Sequence, residues 1–105
     1  MINPIEALNK IFDSRIRLGV MSILIVNDSV SFNELKQMLE LTDGNLASHL
    51  NTLEQAEYLK VQKAFIGKKT NTTYVITELG KQSFKAHLDA LEKMMQNRTS
   101  IVIAH

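Results

Sequence analysis

SFNELKQMLELTDGNLASHLNTLEQ, residues 31–55, is the stretch from which the fold of this 105-residue chain can be read. Ser31 and Glu34 stand three apart at its start, the spacing of a capping box: the serine oxygen accepts from the third helical amide while the glutamate reaches back. This spacing predicts a short helix with Leu35, Met38 and Leu39 as its apolar face. Leu41-Thr42 follows almost at once, and Thr42 suits the cap of a further helix in which Leu46, Ala47, Leu50 and Leu53 gather on one side. Two short helices joined by so tight a turn make a helix-turn-helix over residues 31–56.

Upstream, Ile5, Leu8, Ile11 and Phe12 follow helical spacing behind Pro4, which predicts a helix from Pro4 to Phe12. Asp13 or Ser14 then caps a second helix with Ile16, Val20, Ile23 and Leu24 as its buried stripe, closed by Asn27-Asp28-Ser29. Downstream of Tyr58 the period changes to two. Leu59, Val61 and Lys63 alternate with Lys60, Gln62 and Ala64, Gly67 to Asn71 form a turn cluster, and Thr72 to Ile76 are rich in β-branched residues. These features predict a β-hairpin over 59–76 with a basic tip. Thr77 caps a last helix running from Glu78 to about Gln96, where Phe84, Leu88, Leu91 and Met95 recur at steps of four, three and four. A seam of that kind commonly meets a partner helix.

The expected fold class is therefore mainly α with a small β-hairpin (α+β), a winged helix-turn-helix forming a single domain over residues 1–105. Residues 1–12 and 78–97 are expected to be dimerisation helices, with Ile5, Leu8, Phe84, Leu88, Leu91 and Met95 at the dimer interface.

Composition agrees with one packed unit. Hydrophobic residues make up 45% of the chain, enough for one core, and charged residues 22%, with four glycines and one proline. There is no cysteine, which excludes disulfides, iron–sulfur clusters, thiolate zinc sites and cysteine nucleophiles. The longest apolar run, around Val20 to Val26, is broken by Ser22 and falls far short of the ~20 residues of a membrane span. The N-terminus shows neither a basic region nor a small-residue cleavage site, so a cytoplasmic location is expected. Net charge is only +1, but it is unevenly spread. Lys36 stands against six carboxylates between residues 27 and 59, whereas residues 60–105 hold eight bases and three carboxylates.

From Asp13 to Glu92 the chain resembles the small winged-helix regulators grouped near the MarR and ArsR families, particularly the short winged helix DNA-binding domain subfamily. The carrying segments are Leu41 to Leu46, His49-Leu50, Leu53-Glu54, Ala56, Tyr58, Lys63 to Lys68, Thr73-Tyr74, Thr77, Gly80, Phe84 and His87. The resemblance implies a prokaryotic, dimeric transcription factor whose recognition helix enters the major groove and whose hairpin touches the flanking backbone. Two departures stand out. Relatives usually carry Gly where this chain has Glu57, at a point where the chain leaves the recognition helix; a positive φ there would cost on the order of 1 kcal/mol. Relatives also tend to carry Arg or Lys where this chain has Ser48, Asn51 and Thr52.

With Leu46, Leu50 and Leu53 facing inward, Asn45, Ser48, His49 and Thr52 are expected to look into the groove. Asn45 can pair with the edge of adenine, Ser48 and Thr52 with several edges or with phosphate, and His49 with phosphate or guanine. Gly44 would let a phosphate come close to the helix start. The plainer alternative is a polar, solvated helix face. Lys63, Lys68 and Lys69, with Lys60 along the strand, form the expected backbone contact of the hairpin, against a merely solubilising role. Arg15 and Arg17 either contact phosphate or form ion pairs with Asp13 or Glu6.

No nucleophile elbow, phosphate loop, metal-protease motif or paired-carboxylate signature is present, so the expectation is a protein that is not an enzyme and needs no cofactor. His49, His87 and His105 have no partner at helical spacing among themselves, so no metal site is expected, and His87 is expected on a helix surface or an interface. The expected partners are duplex DNA with a pseudo-palindromic site and a second copy of the chain. The competing readings are a winged helix turned to protein–protein contact, which the acidic middle of the chain makes credible, and a ligand- or metal-responsive sensor of the same fold.

Overall fold

The computed structural model describes residues 3–96. Two single 3₁₀ turns, Pro4–Ala7 and Lys10–Phe12, lead into helix α1, Arg15–Ile25. A two-residue strand β1, Val30–Ser31, precedes helices α2, Phe32–Leu39, and α3, Asp43–Gln55. Strands β2, Leu59–Ile66, and β3, Lys69–Ile76, form the hairpin, and α4, Glu78–Gln96, closes the described chain. The sheet is antiparallel in the order β1-β3-β2. Residue 97, the end of the expected last helix, and the tail with His105 lie outside the described residues.

Local chemistry sets the boundaries. The Ser14 hydroxyl accepts from the Arg17 amide at the start of α1. Both halves of the capping box form, Ser31 Oγ accepting from Glu34 N at 3.1 Å and Glu34 Oε1 accepting from Ser31 N at 3.0 Å. The Ser31 amide, and to a lesser extent the Ser31 hydroxyl, hydrogen-bond the Glu34 carboxyl and hold it below its ordinary value. Thr42 accepts from Asn45 N and starts α3. Between α2 and α3, Glu40 takes a left-handed φ of 53°, so the turn is tight enough for the two helices to pack as a unit.

The expected N-terminal helix is replaced by the two 3₁₀ turns. Asn3 and Asn9 each accept, through their side chains, from the amide two residues on, at Ile5 and Ile11. Such local bonds compete with continuous helix and restart the chain at Asn9. The hairpin turn is also shorter than expected. Gly67 takes φ 65° at the first central position of a two-residue turn, as a type II′ turn requires, and Lys69, Thr70 and Asn71 pair with Ile66, Phe65 and Ala64. Strand β1 has no counterpart in the sequence-based expectation, because two residues carry no readable period.

The core joins Val20, Met21 and Leu24 of α1, Leu35 of α2, Leu46, Leu50 and Leu53 of α3, and Leu59 and Tyr74 of the hairpin, with Phe12 and Phe84 at one end. Met21 is fully buried, while Ile16 and Ile23 of the expected stripe are half-buried and Ala47 is exposed. Phe84, expected at a dimer interface, is only 5% exposed: its ring meets Phe12 edge-on, with centroids 5.6 Å apart. His87, expected at the surface or an interface, is buried too, its ring packed at a tilt against Phe12 and accepting from Asn9 N through Nδ1 at 3.1 Å. The N-terminal turns cover this part of α4 and draw both residues inward.

The exit from α3 is a compact knot. Glu57 takes φ 63°, the left-handed value expected from its place among glycine-bearing relatives. Tyr58 O accepts from Thr77 N, and the Thr77 hydroxyl donates to Glu57 O at 2.6 Å while accepting from Gly80 N at 2.9 Å. Gly80 thus starts α4 hard against the Tyr58 carbonyl, and an added Cβ would collide with that backbone. Gly80→Ala is therefore expected to destabilise by about 1–3 kcal/mol through overpacking, although alanine in an ordinary helix gains up to about 1 kcal/mol. Urea unfolding, read as a fall in midpoint at constant slope, measures it.

Candidate nucleic-acid interface

Burial of Leu46, Leu50 and Leu53 fixes the rotation of α3, and at about 100° per residue the residues opposite them are Gly44, Ser48, Asn51 and Gln55. All four are exposed. Asn45, also exposed, and the half-buried Thr52 stand on one flank, and Thr52 Oγ1 donates to Ser48 O. Asn51 and Gln55 were absent from the sequence-based site, although the same helical angles already place them at the centre of the outward face.

His49 lies beyond that flank, half-buried against α1. Its Nδ1 sits 2.9 Å from Arg17 Nη1, and Arg17 Nε donates to Ile11 O at 2.6 Å. The arginine therefore ties the second 3₁₀ turn to α3. Neither Arg15 nor Arg17 pairs with Asp13 or Glu6 among the described residues, and Arg15 is exposed. Desolvation, and then the Arg17 charge, hold the His49 imidazole below its ordinary value, so at neutral pH it is the neutral acceptor this contact needs.

At the start of α3, Asp43 is bridged by Lys36 Nζ of α2 at 2.7 Å. Both groups are well exposed, so the pair contributes little to stability. It does offset the Asp43 charge at this end of α3. A Cβ on Gly44 would meet nothing within 4 Å, so nothing within the protein requires glycine at that position.

The hairpin divides its lysines. Alternation puts Lys63 on the face that carries Leu59, Val61 and Tyr74, and Lys60 and Lys69 on the other; Lys68 occupies the turn. A polar cleft of about 520 Å³ opens between Val61, Lys63, Thr72 and Tyr74 on one side and Phe32 and Glu54 on the other. Burial raises the Tyr74 hydroxyl above its ordinary value, and the nearby Glu54 carboxylate adds to the shift. The structure thus places a polar, uncharged helix face and a lysine-bearing hairpin on one body. Among the described residues no cluster of three or more metal-ligating side chains occurs, and no helix is long and apolar enough to cross a membrane.

The profile of the winged helix DNA-binding domain family matches residues 16–95. The chain belongs to this family. Its winged-helix architecture, among the described residues four α-helices and a three-stranded antiparallel sheet, is that of a DNA-binding rather than a catalytic family. The chain is 34% identical over 88 residues to an uncharacterised protein of Methanocaldococcus jannaschii, covering 84% of this winged-helix chain and 96% of that relative. A transcriptional regulator homologue from Pyrococcus horikoshii superimposes with a TM-score of 0.74 at 31% identity, over 90% of this chain and 98% of that one. PadR of Bacillus subtilis, solved in complex with operator DNA, shares the fold at a TM-score of 0.64 and 14% identity, over 71% of this chain and 48% of that one.

The His49 contact has a measurable consequence. Its NMR titration midpoint should fall below about 6.5 and rise when Arg17→Met removes the neighbouring charge. Because the folded value is depressed, the folded state binds this proton less readily than the unfolded chain. The stability linked to His49 is complete above about pH 6.5 and is lost as pH falls through the lowered folded value. A His49→Gln variant should lack that part of the pH dependence in thermal unfolding.

Proposed function

We propose that the chain is a sequence-specific transcriptional regulator that binds double-stranded DNA as a homodimer in the cytoplasm. The observation that carries this reading is the outward face of α3, Gly44, Asn45, Ser48, Asn51 and Gln55, exposed beside a hairpin with Lys63, Lys68 and Lys69. Amides and hydroxyls read base edges in the major groove, and lysines supply the sequence-independent attraction to phosphate. Thr52 adds a hydroxyl at the flank, and exposed Arg15 a charge near the start of α1. His49 and Arg17 act as positioning residues, which hold the helix at its angle rather than touch the groove. PadR, a protein of the same fold, was solved in complex with operator DNA, which supports DNA as the partner.

The dimer reading rests on apolar side chains left open near the end of α4. Leu88 is 43% exposed, Leu91 37%, Met94 41% and Met95 82%, and Ile5 of the first turn is 66% exposed, with Leu8 half-buried beside it. Such a row on one helix suits a second copy of itself, with two recognition helices about 34 Å apart on a pseudo-palindrome.

Selection of bound duplexes from a random library tests the whole reading: a recovered palindrome with half-sites one helical turn apart is expected, and no enrichment at low salt would overturn it. Lys68→Ala with Lys69→Ala should weaken all duplexes alike and flatten the salt dependence by about one unit of slope per lysine. In sedimentation, Leu88→Glu should convert a dimer to a monomer; a wild-type chain that is monomeric at micromolar concentration would defeat the dimer.

A further inference from the structure

The hairpin carries a side chain that the packing of the domain does not use. Phe65 is 79% exposed, although burial of so large an apolar group is ordinarily favourable. The register puts it on the same face as Leu59, Val61 and Lys63, opposite Ile76, Tyr74, Thr72 and Thr70. At its base that face is core, with Leu59 and Tyr74 buried. Further out it lines the cleft shared with Phe32 and Glu54, and Phe65 lies one step beyond Lys63, past the reach of the core.

Charge narrows what can cover the ring. Between Tyr58 and Thr77 the chain has four lysines and no carboxylate. Lys63 precedes Phe65 by two positions on the same face, and Lys68 follows it by three in the turn. A matching surface must be anionic at its borders and apolar between them. The minor groove has that form: two phosphate ridges about 6 Å apart enclose sugar walls of C–H groups. Apolar wedges are a recurrent means of entering it.

We propose that Phe65 enters the minor groove beside the recognised site and packs against its sugar walls, while Lys63 and Lys68 meet the bordering phosphates. The inference rests on the duplex-binding reading above and extends it with a residue that senses groove width. It also implies a base preference at positions that α3 never touches. A G·C pair carries an exocyclic amine on the floor of the minor groove that A·T lacks, so the ring should favour A·T-rich flanks.

Three measurements on the full chain and a selected duplex decide it. Phe65→Ala, which removes an exposed ring and should leave the fold unchanged by circular dichroism, is expected to lose roughly tenfold in affinity with an unaltered salt slope. Replacing flanking G·C by inosine·C removes the minor-groove amine and leaves the major-groove edge nearly intact; wild type should bind this duplex several-fold tighter, and Phe65→Ala should not distinguish the two. The chain has no tryptophan, so Phe65→Trp supplies a sole indole whose emission should be quenched by duplex. If Phe65→Ala binds like wild type while the Lys68 and Lys69 double variant is weakened, the wing is a backbone contact alone and the proposal falls while the DNA-binding reading stands. Wild type failing to bind any duplex at low salt would overturn both. Indole quenching by polyglutamate but not by duplex would overturn the proposal in favour of an acidic protein partner.

Discussion

The burial of Leu46, Leu50 and Leu53 in α3 is the constraint on which the rest of the molecule depends. All three are at most 3% exposed, and they share one core with Val20, Met21 and Leu24 of α1. Each such leucine stabilises the fold by about 1.5–3 kcal/mol relative to exposure. Because the three recur at helical spacing, the same energy that holds α3 in place also chooses which side chains it turns outward. Glycine, serine and amides occupy the outward side, and Asp43 at the start of the helix is partnered by Lys36. The packed stripe and the exposed polar face are two sides of one cylinder.

Around that helix the polar contacts act as fasteners. At its far end the left-handed Glu57 and the two-way Thr77 hydroxyl bind the exit of α3 to the start of α4. At its flank Arg17 reaches both His49 and Ile11 O. The segment before α1 joins in through Asn9, whose amide donates to His87 and whose side chain donates to the Tyr58 hydroxyl at 2.7 Å. Phe12 fills the space between Tyr58, Phe84 and His87. The N-terminal turns are thus connected to the helix that faces outward and to the helix that carries the open apolar row.

Most of the fold was legible because its signals are local and repeat. The capping box, the Thr42 and Thr77 caps, the leucine stripe and the switch to period two each lie within a few residues, and the bounds of α3, the hairpin and α4 agree with them. Legibility failed where the deciding contact was distant or the element short. Phe84 fits an open seam when α4 is read alone; only the N-terminal turns, more than seventy residues away in sequence, make it core. Asn9 and His87 are likewise joined across the chain. Ile5, Leu8, Ile11 and Phe12 have helical spacing, but two asparagines redirect the backbone between them. In the site, the leucines were read correctly and the outward angle less so, which is why Asn51 entered only as a departure from relatives, Gln55 not at all, and His49 was set too near the centre.

The sheet order β1-β3-β2 leaves β2 as the outer strand, with no neighbour on its far side among the described residues. A strand of eight residues with an open row of amides and carbonyls is a template onto which another chain could add and begin to aggregate. Lys60 and Lys63, one on each face of that strand, oppose such stacking through the cost of bringing ammonium groups together. The hairpin's positive charge therefore also serves solubility: substitutions that neutralise β2 would leave the fold intact and still shorten the time the protein stays dispersed at high concentration.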